Sequence, residues 1–202
     1  AVALAGVPFL RPRERELLLD LFPHGDGFLA LGTGDLSLIL GRRVRDGEFR
    51  PEEALRNGDS GYRTMRERGI AIARRGDSGY PEALSEIHDP PFALFVRGET
   101  RYAGMPRAAV VGTRKPSAAG KAAAARFGSE LVGLGHAVVS GLALGIDAWA
   151  HRGAAESGGP TVAVLACGAD AVYPRSNAAL ARRVLETGGA IVSEYPPGTP
   201  PY

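Results

Sequence analysis

Four short runs rich in β-branched residues recur through the second half of the chain: "AAVVGT" (108–113), "HAVVS" (136–140), "TVAVLA" (161–166) and "AIVSE" (190–194). The stretches between them are "SAAGKAAAARFGSELVGLG", "GIDAWAHRGAAESGG" and "SNAALARRVLETGG". Each is rich in alanine or leucine and ends in glycine, the signature of a helix with a glycine stop. Strand, helix and strand at this spacing require a crossover connection, which is right-handed and places successive strands in parallel. Nearly continuous apolar strands fit burial on both faces of a sheet.

This rhythm predicts an α/β fold, a Rossmann-like doubly wound and mostly parallel sheet over residues 67–202. Two further strands, in "IAIA" and "FALFV", precede it, joined by "RRGDSGYPEALSEIHDPP", whose prolines oppose regular structure. Residues 1–66 read as a small all-helical domain. "RERELLLDLF" carries Leu17, Leu18, Leu21 and Phe22 at helical spacing, "FLALGTGDLSLILG" gives two apolar runs around Gly32 and Gly34, and "RPEEALRNGDSGYRTMRERG" forms a further helix. The glycines there suit either a helix-hairpin-helix that offers backbone N–H groups to phosphate or plain turns in a bundle. With 202 residues, 45% of them apolar, one large and one small domain are expected. Cys167 is the single cysteine, so no intrachain disulfide forms and a reducing, cytoplasmic setting is expected. No stretch has membrane-spanning length, and the apolar opening lacks the basic start and cleavage pattern of a signal peptide. The absence of an initial Met points to processing or trimming.

The net charge of +2 says little, but within 101–135 Arg101, Arg107, Arg114, Lys115, Lys121 and Arg126 face only Glu130. Such a local field suits a polyanion. The loops leaving the carboxyl ends of the parallel strands, "GTRKPS", "SGLALGID", "CGADAVYPRSN" and "SEYPPGTPP", share one edge, where ligands of such sheets bind. As a nucleotide loop the first fails: Gly120-Lys121 has Lys115 where a Walker A glycine belongs and Ala122 where the magnesium-binding hydroxyl belongs. "GLALG" lacks the dinucleotide spacing, and no acidic residue ends the next strand to hold a ribose. No cofactor is therefore expected. As a backbone cradle the loops do better. Gly112, Gly141 and Gly145 let a phosphodiester approach the main chain, helix N-termini add N–H groups, Thr113, Ser117 and Ser140 add hydroxyls, and Arg114 offers a planar fork. Asp147 and His151 share a helix face as an acid/base pair, half a metal site, or a helix-end carboxylate and a packed ring; no third ligand accompanies them, so no metal is expected. Cys167 reads as a core or loop-edge thiol.

"DPPFALFVRG", "AVVGTRKPSAAG", "SGLALGIDAWAH", "VAVLACGADAVYPRSN" and "IVSEYPPGTPP" follow the order and spacing of the DprA/Smf family of DNA-processing proteins, which the chain resembles over about residues 69–202. The helical region before Gly69 is similar to the sterile-alpha-motif-like domain of many members. The resemblance implies single-stranded DNA binding without base specificity, protection of incoming DNA, homodimer assembly and loading of the recombinase RecA during natural transformation, with no enzymatic activity. It implies that Arg114 contacts the DNA backbone, with Gly112, Thr113, Lys115, Ser117, Gly141 and Gly145 forming the adjoining pocket; Lys121, Ser140 and Arg175 complete the expected DNA-binding set. The family pattern continues past the "SEYPPGTPP" region, so the resemblance also implies a fragment lacking part of the basic pocket, the dimer surface and the RecA contact. The alternative is an enzyme hydrolysing nucleoside monophosphates on a related plan, whose P-G-G-x-G-T loop "PPGTPP" only echoes.

Overall fold

A computed structural model describes residues 1–201 of the chain. The amino-terminal part is helical, with α1 (Val2–Ala5), which the apolar spacing does not predict, followed by α2 (Pro12–Leu21), α3 (Thr33–Leu40) and α4 (Pro51–Arg68). Proline opens α2 and α4, where its missing N–H has no helical partner to lose. Gly41 and Gly69 end α3 and α4 at φ of 61°. Arg42 ties α3 to α2 through Glu14 and the Phe9 carbonyl.

The rest alternates: β1 (Ile70–Ala73), α5 (Glu82–Ser85), β2 (Leu94–Gly98), β3 (Arg107–Ala109), α6 (Ala118–Gly133), β4 (Ala137–Ser140), α7 (Ile146–Glu156), β5 (Thr161–Leu165), α8 (Ala178–Glu186) and β6 (Ala190–Ser193). A single helical turn, α5, thus forms in the proline-containing linker. β3 stops at Ala109, short of the predicted 113, so the residues carrying the basic loop leave the sheet early.

The sheet order is β1-β2-β6-β5-β4-β3. β3 to β6 are parallel, with Val138 beside Thr161 and Ala163 beside Ile191, while β2 runs antiparallel to both β1 and β6. The expectation of a doubly wound sheet is corrected here. β3, β4, β5 and β6 lie side by side in chain order with no reversal, and α6 packs on α7 and α7 on α8, so all three crossovers cover one face. The same face receives the amino-terminal helices: Leu4, Leu18, Phe28 and Leu36 join Phe95, Leu165 and Ile191 in one buried cluster.

The second face is covered differently. Tyr80, Tyr102 and Leu84, from the segment between β1 and β3, lie over Leu94, Val96, Val162, Ala190 and Val192. Tyr80 is fixed by its hydroxyl, which donates to the Pro91 carbonyl at 2.8 Å. This cover stops short of the carboxyl end of β5, where Val164 is 43% exposed.

The α6–α7 contact is close enough to require glycine. A Cβ on Gly128 would collide with the Ala150 backbone, and one on Gly153 with that of Ala125. Val138, Ala150 and Ala154 pack beneath the pair.

Candidate nucleic-acid interface

The carboxyl ends of the parallel strands meet at one rim, and short contacts stitch the loops there to one another. The Ser140 hydroxyl donates to Val110 O at 2.6 Å, and Ile146 N donates to Thr113 O at 3.2 Å, joining the first two loops. The Ser193 hydroxyl donates to Cys167 O at 2.6 Å and accepts from Tyr195 N at 2.9 Å. Gly168 N donates to Thr199 O, and Asp170 accepts from Gly198 N, joining the last two loops. Arg114 is exposed and lines the same cleft as Gly141, within the short reach that Gly145 allows.

The glycines sit within these loop-to-loop contacts, where a Cβ would meet a facing residue. A Cβ on Gly112 would stand 2.7 Å from the Ile146 side chain, and one on Gly141 would stand 2.8 Å from the Asp147 carboxylate. Gly145 has φ 87°, and its Cβ would lie 2.7 Å from Arg114 Cα and collide with Thr113 O. The Gly141 N–H is likewise occupied, donating to Asp147 Oδ2 at 3.0 Å. Ser140 is buried with its proton committed to Val110, so it is a structural hydroxyl and not a surface donor. Thr113 and Ser117 are exposed, but each already accepts a local N–H, from Lys115 and Gly120. Ser117 is thereby the N-cap of α6.

The basic stretch divides in space. Arg107 donates to Tyr102 O at 2.9 Å, and Arg101 lies beside Gly188 in the turn entering β6, both at the amino ends of strands. Arg126 pairs with Glu130 at 2.7 Å. Arg114 and Lys115 stay at the rim, Lys121 follows in the first turn of α6, and Arg175 is carried by the 3-10 turn Arg175–Asn177. All four are exposed, and none pairs with a carboxylate among the described residues. Arg114 borders a cleft of about 170 Å³ whose other walls include Leu144, Cys167, Tyr173 and Pro174. Tyr173, which lines the same cleft, is 55% exposed.

Asp147 and His151 sit on the inner face of α7. His151 is fully buried; the Thr161 hydroxyl donates to Val138 O, so it accepts from His151 Nδ1–H at 2.7 Å. Burial holds the imidazole down to about 4, against the opposing pull of Asp147. Asp147 accepts from Gly141 N, while the buried His151 Nε2 has no hydrogen-bond partner among the described residues. Cys167 is buried, and burial followed by the Asp170 charge pushes its thiol up, away from the thiolate a nucleophile needs. Among the described residues no three His, Cys, Asp or Glu side chains converge on a metal-sized site, and no helix is long and apolar enough to cross a membrane.

Sequence reasoning missed Leu142 and Asn177. Leu142 is buried at φ 56°, a left-handed conformation that costs a branched residue about 1 kcal/mol or more. Asn177, also buried, donates from Nδ2 to Leu142 O at 2.8 Å and to Ala143 O at 3.3 Å. The positions are separated by 35 residues, and a leucine carries no mark of positive φ.

Residues 71–202 match the sequence profile described as DNA recombination-mediator protein A. The chain belongs to that family. Among relatives of this recombination-mediator family, Protein Smf of Escherichia coli is 43% identical over 122 residues, covering 60% of this chain and 33% of its own length. DNA processing protein DprA of Bacillus subtilis is 37% identical, covering 67% of this chain and 46% of its own. The chain thus spans about a third to a half of the curated relatives it matches. The crystal structure of DprA from Streptococcus pneumoniae superposes with a TM-score of 0.68 at 30% identity, covering 100% of this chain and 68% of that one. A Helicobacter pylori DprA structure, described by its single-stranded DNA binding mode, gives 0.58 at 29% identity over 66% of this chain and 59% of that one.

Proposed function

We propose that this chain binds single-stranded DNA at the rim of its sheet, without base specificity, as part of a recombination mediator that protects incoming strands and loads RecA in natural transformation. One observation carries the reading: Arg114 stands exposed and without a described carboxylate partner at a cleft walled by Tyr173, with Lys115, Lys121 and Arg175 on the adjoining turns. Cations without carboxylate partners suit a backbone of phosphates, and an aromatic face suits an unstacked base. In this reading Gly112, Gly141, Gly145 and Ser140 act by holding the loops, while Thr113 and Ser117 line them. Residues 1–66 serve as a sterile-alpha-motif-like unit beside a Rossmann-like one over 67–202, wound in one direction. The whole protein works as a cytoplasmic homodimer and is not an enzyme. The hydrolase alternative gains no support from Asp147 and His151, whose Oδ2 and Nδ1 are engaged with Gly141 N and the Thr161 hydroxyl.

Fluorescence anisotropy with labelled oligothymidylate and its duplex, across a salt series, tests the proposal. The single strand is expected to bind more tightly, and Arg114→Ala to weaken it on every sequence while flattening the slope of log affinity against log salt by about 0.7. An unchanged slope removes Arg114 from the interface, and equal binding of duplex removes the single-strand preference.

A further inference from the structure

The Arg114 cleft depends on a loop with an unusual backbone, and one buried side chain holds that loop. Leu142 is the non-glycine residue of positive φ among those described. Its side chain is fully buried, so it cannot relax by turning to solvent. Asn177 faces the Leu142 and Ala143 carbonyls, at 2.8 and 3.3 Å. Two carbonyl acceptors fix which end of the amide points at the loop, because only the NH2 group can serve both. From there the chain runs to Gly145, whose Cα backs onto Arg114, and to Ile146, whose N–H holds Thr113 O. Asn177 also ends the short turn that begins at Arg175. The same residue therefore lies behind the loop facing Arg114 and behind the turn that presents Arg175.

We propose that Asn177 is a positioning residue for DNA binding: its buried amide pins Leu142 in the left-handed conformation and so sets the 141–145 loop against Arg114. This rests on the reading that the cleft binds single-stranded DNA. At 4% exposure Asn177 is itself out of reach of a phosphate. Its influence passes through the loop and the Arg175 turn that it backs.

The test uses oligothymidylate and four proteins: wild type, Arg114→Ala, Asn177→Ala and Asn177→Asp. At pH 7.5 both Asn177 variants are expected to lose about tenfold in affinity, the scale of a buried carbonyl left unpaired. Their salt slope is expected to lie between that of the wild type and that of Arg114→Ala, because the Arg114 contact is weakened through the loop and not removed. Asn177→Asp carries a second signature. An ionised carboxylate repels the two carbonyls, but a protonated one donates an O–H to one of them, so its affinity relative to wild type recovers on going from pH 7.5 to 5.5. Dividing by the wild type at each pH removes the contribution of groups common to both, such as His151. Wild-type affinity in both Asn177 variants overturns the proposal. If Asn177→Ala fails to fold, Asn177→Asp decides alone, and a variant-to-wild-type ratio that does not move with pH overturns the proposal. Failure of the wild type to bind oligothymidylate instead overturns the function on which it rests.

Discussion

His151 and Gly145 show how single residues at this rim are constrained. The His151 ring is fully buried, and its folded state holds it down to about 4 from an ordinary 6.5, burial being the main cause. Between these values the unfolded chain takes up a proton that the folded chain refuses, so this contribution to stability is complete above about pH 6.5 and falls away towards pH 4. A shift of this size corresponds to about 3 kcal/mol. Urea midpoints measured from pH 7.5 to 4 are expected to decline over that window, and His151→Leu to flatten the decline whatever it does to absolute stability. Gly145→Ala places a Cβ at φ 87° against Arg114 Cα. It is expected to cost about 2 kcal/mol in chemical unfolding and to weaken oligonucleotide binding, since the strain lies against the residue proposed to bind.

At the scale of elements, α6 and α7 approach through glycine on both sides, and that closeness fixes where the α6 N-terminus, with Ser117 and Lys121, sits on the rim. Gly153→Ala drives a methyl group into the Ala125 backbone and is expected to lower stability by about 2–3 kcal/mol. Gly133→Ala, on the same α6 but with open space around it, is expected to stabilise by about 0.5–1 kcal/mol through helix propensity alone. Thermal melts of the two variants check the contrast. The elements themselves were legible because β-branched runs, alanine-rich stretches and glycine stops are local signals. The reason for each glycine was not legible. The neighbours that Gly112, Gly141 and Gly145 face, Ile146, Asp147 and Arg114, are set by contacts between loops and carry no local mark. Asn177 escaped notice for a related reason, its partners being 34 and 35 residues away.

For the whole molecule, one buried cluster joins Leu18 and Phe28 of the amino-terminal helices to Phe95 and Ile191 of the sheet. Calorimetry is expected to give a single unfolding transition; two resolved transitions would mean that the helical part and the sheet melt separately. Alternation along the chain specified parallel strands but left their order open, which is why winding in one direction emerges only in three dimensions. The basic stretch misled in the same way, because neighbours in sequence such as Arg107 and Arg114 stand at opposite ends of one strand and its following loop. The stitching of the rim loops has a thermodynamic corollary. A receptor whose walls are already fastened surrenders little freedom when its ligand arrives. Calorimetric titration with oligothymidylate at several temperatures should therefore show a small heat-capacity change, the profile of rigid docking and not of a loop that folds around its guest.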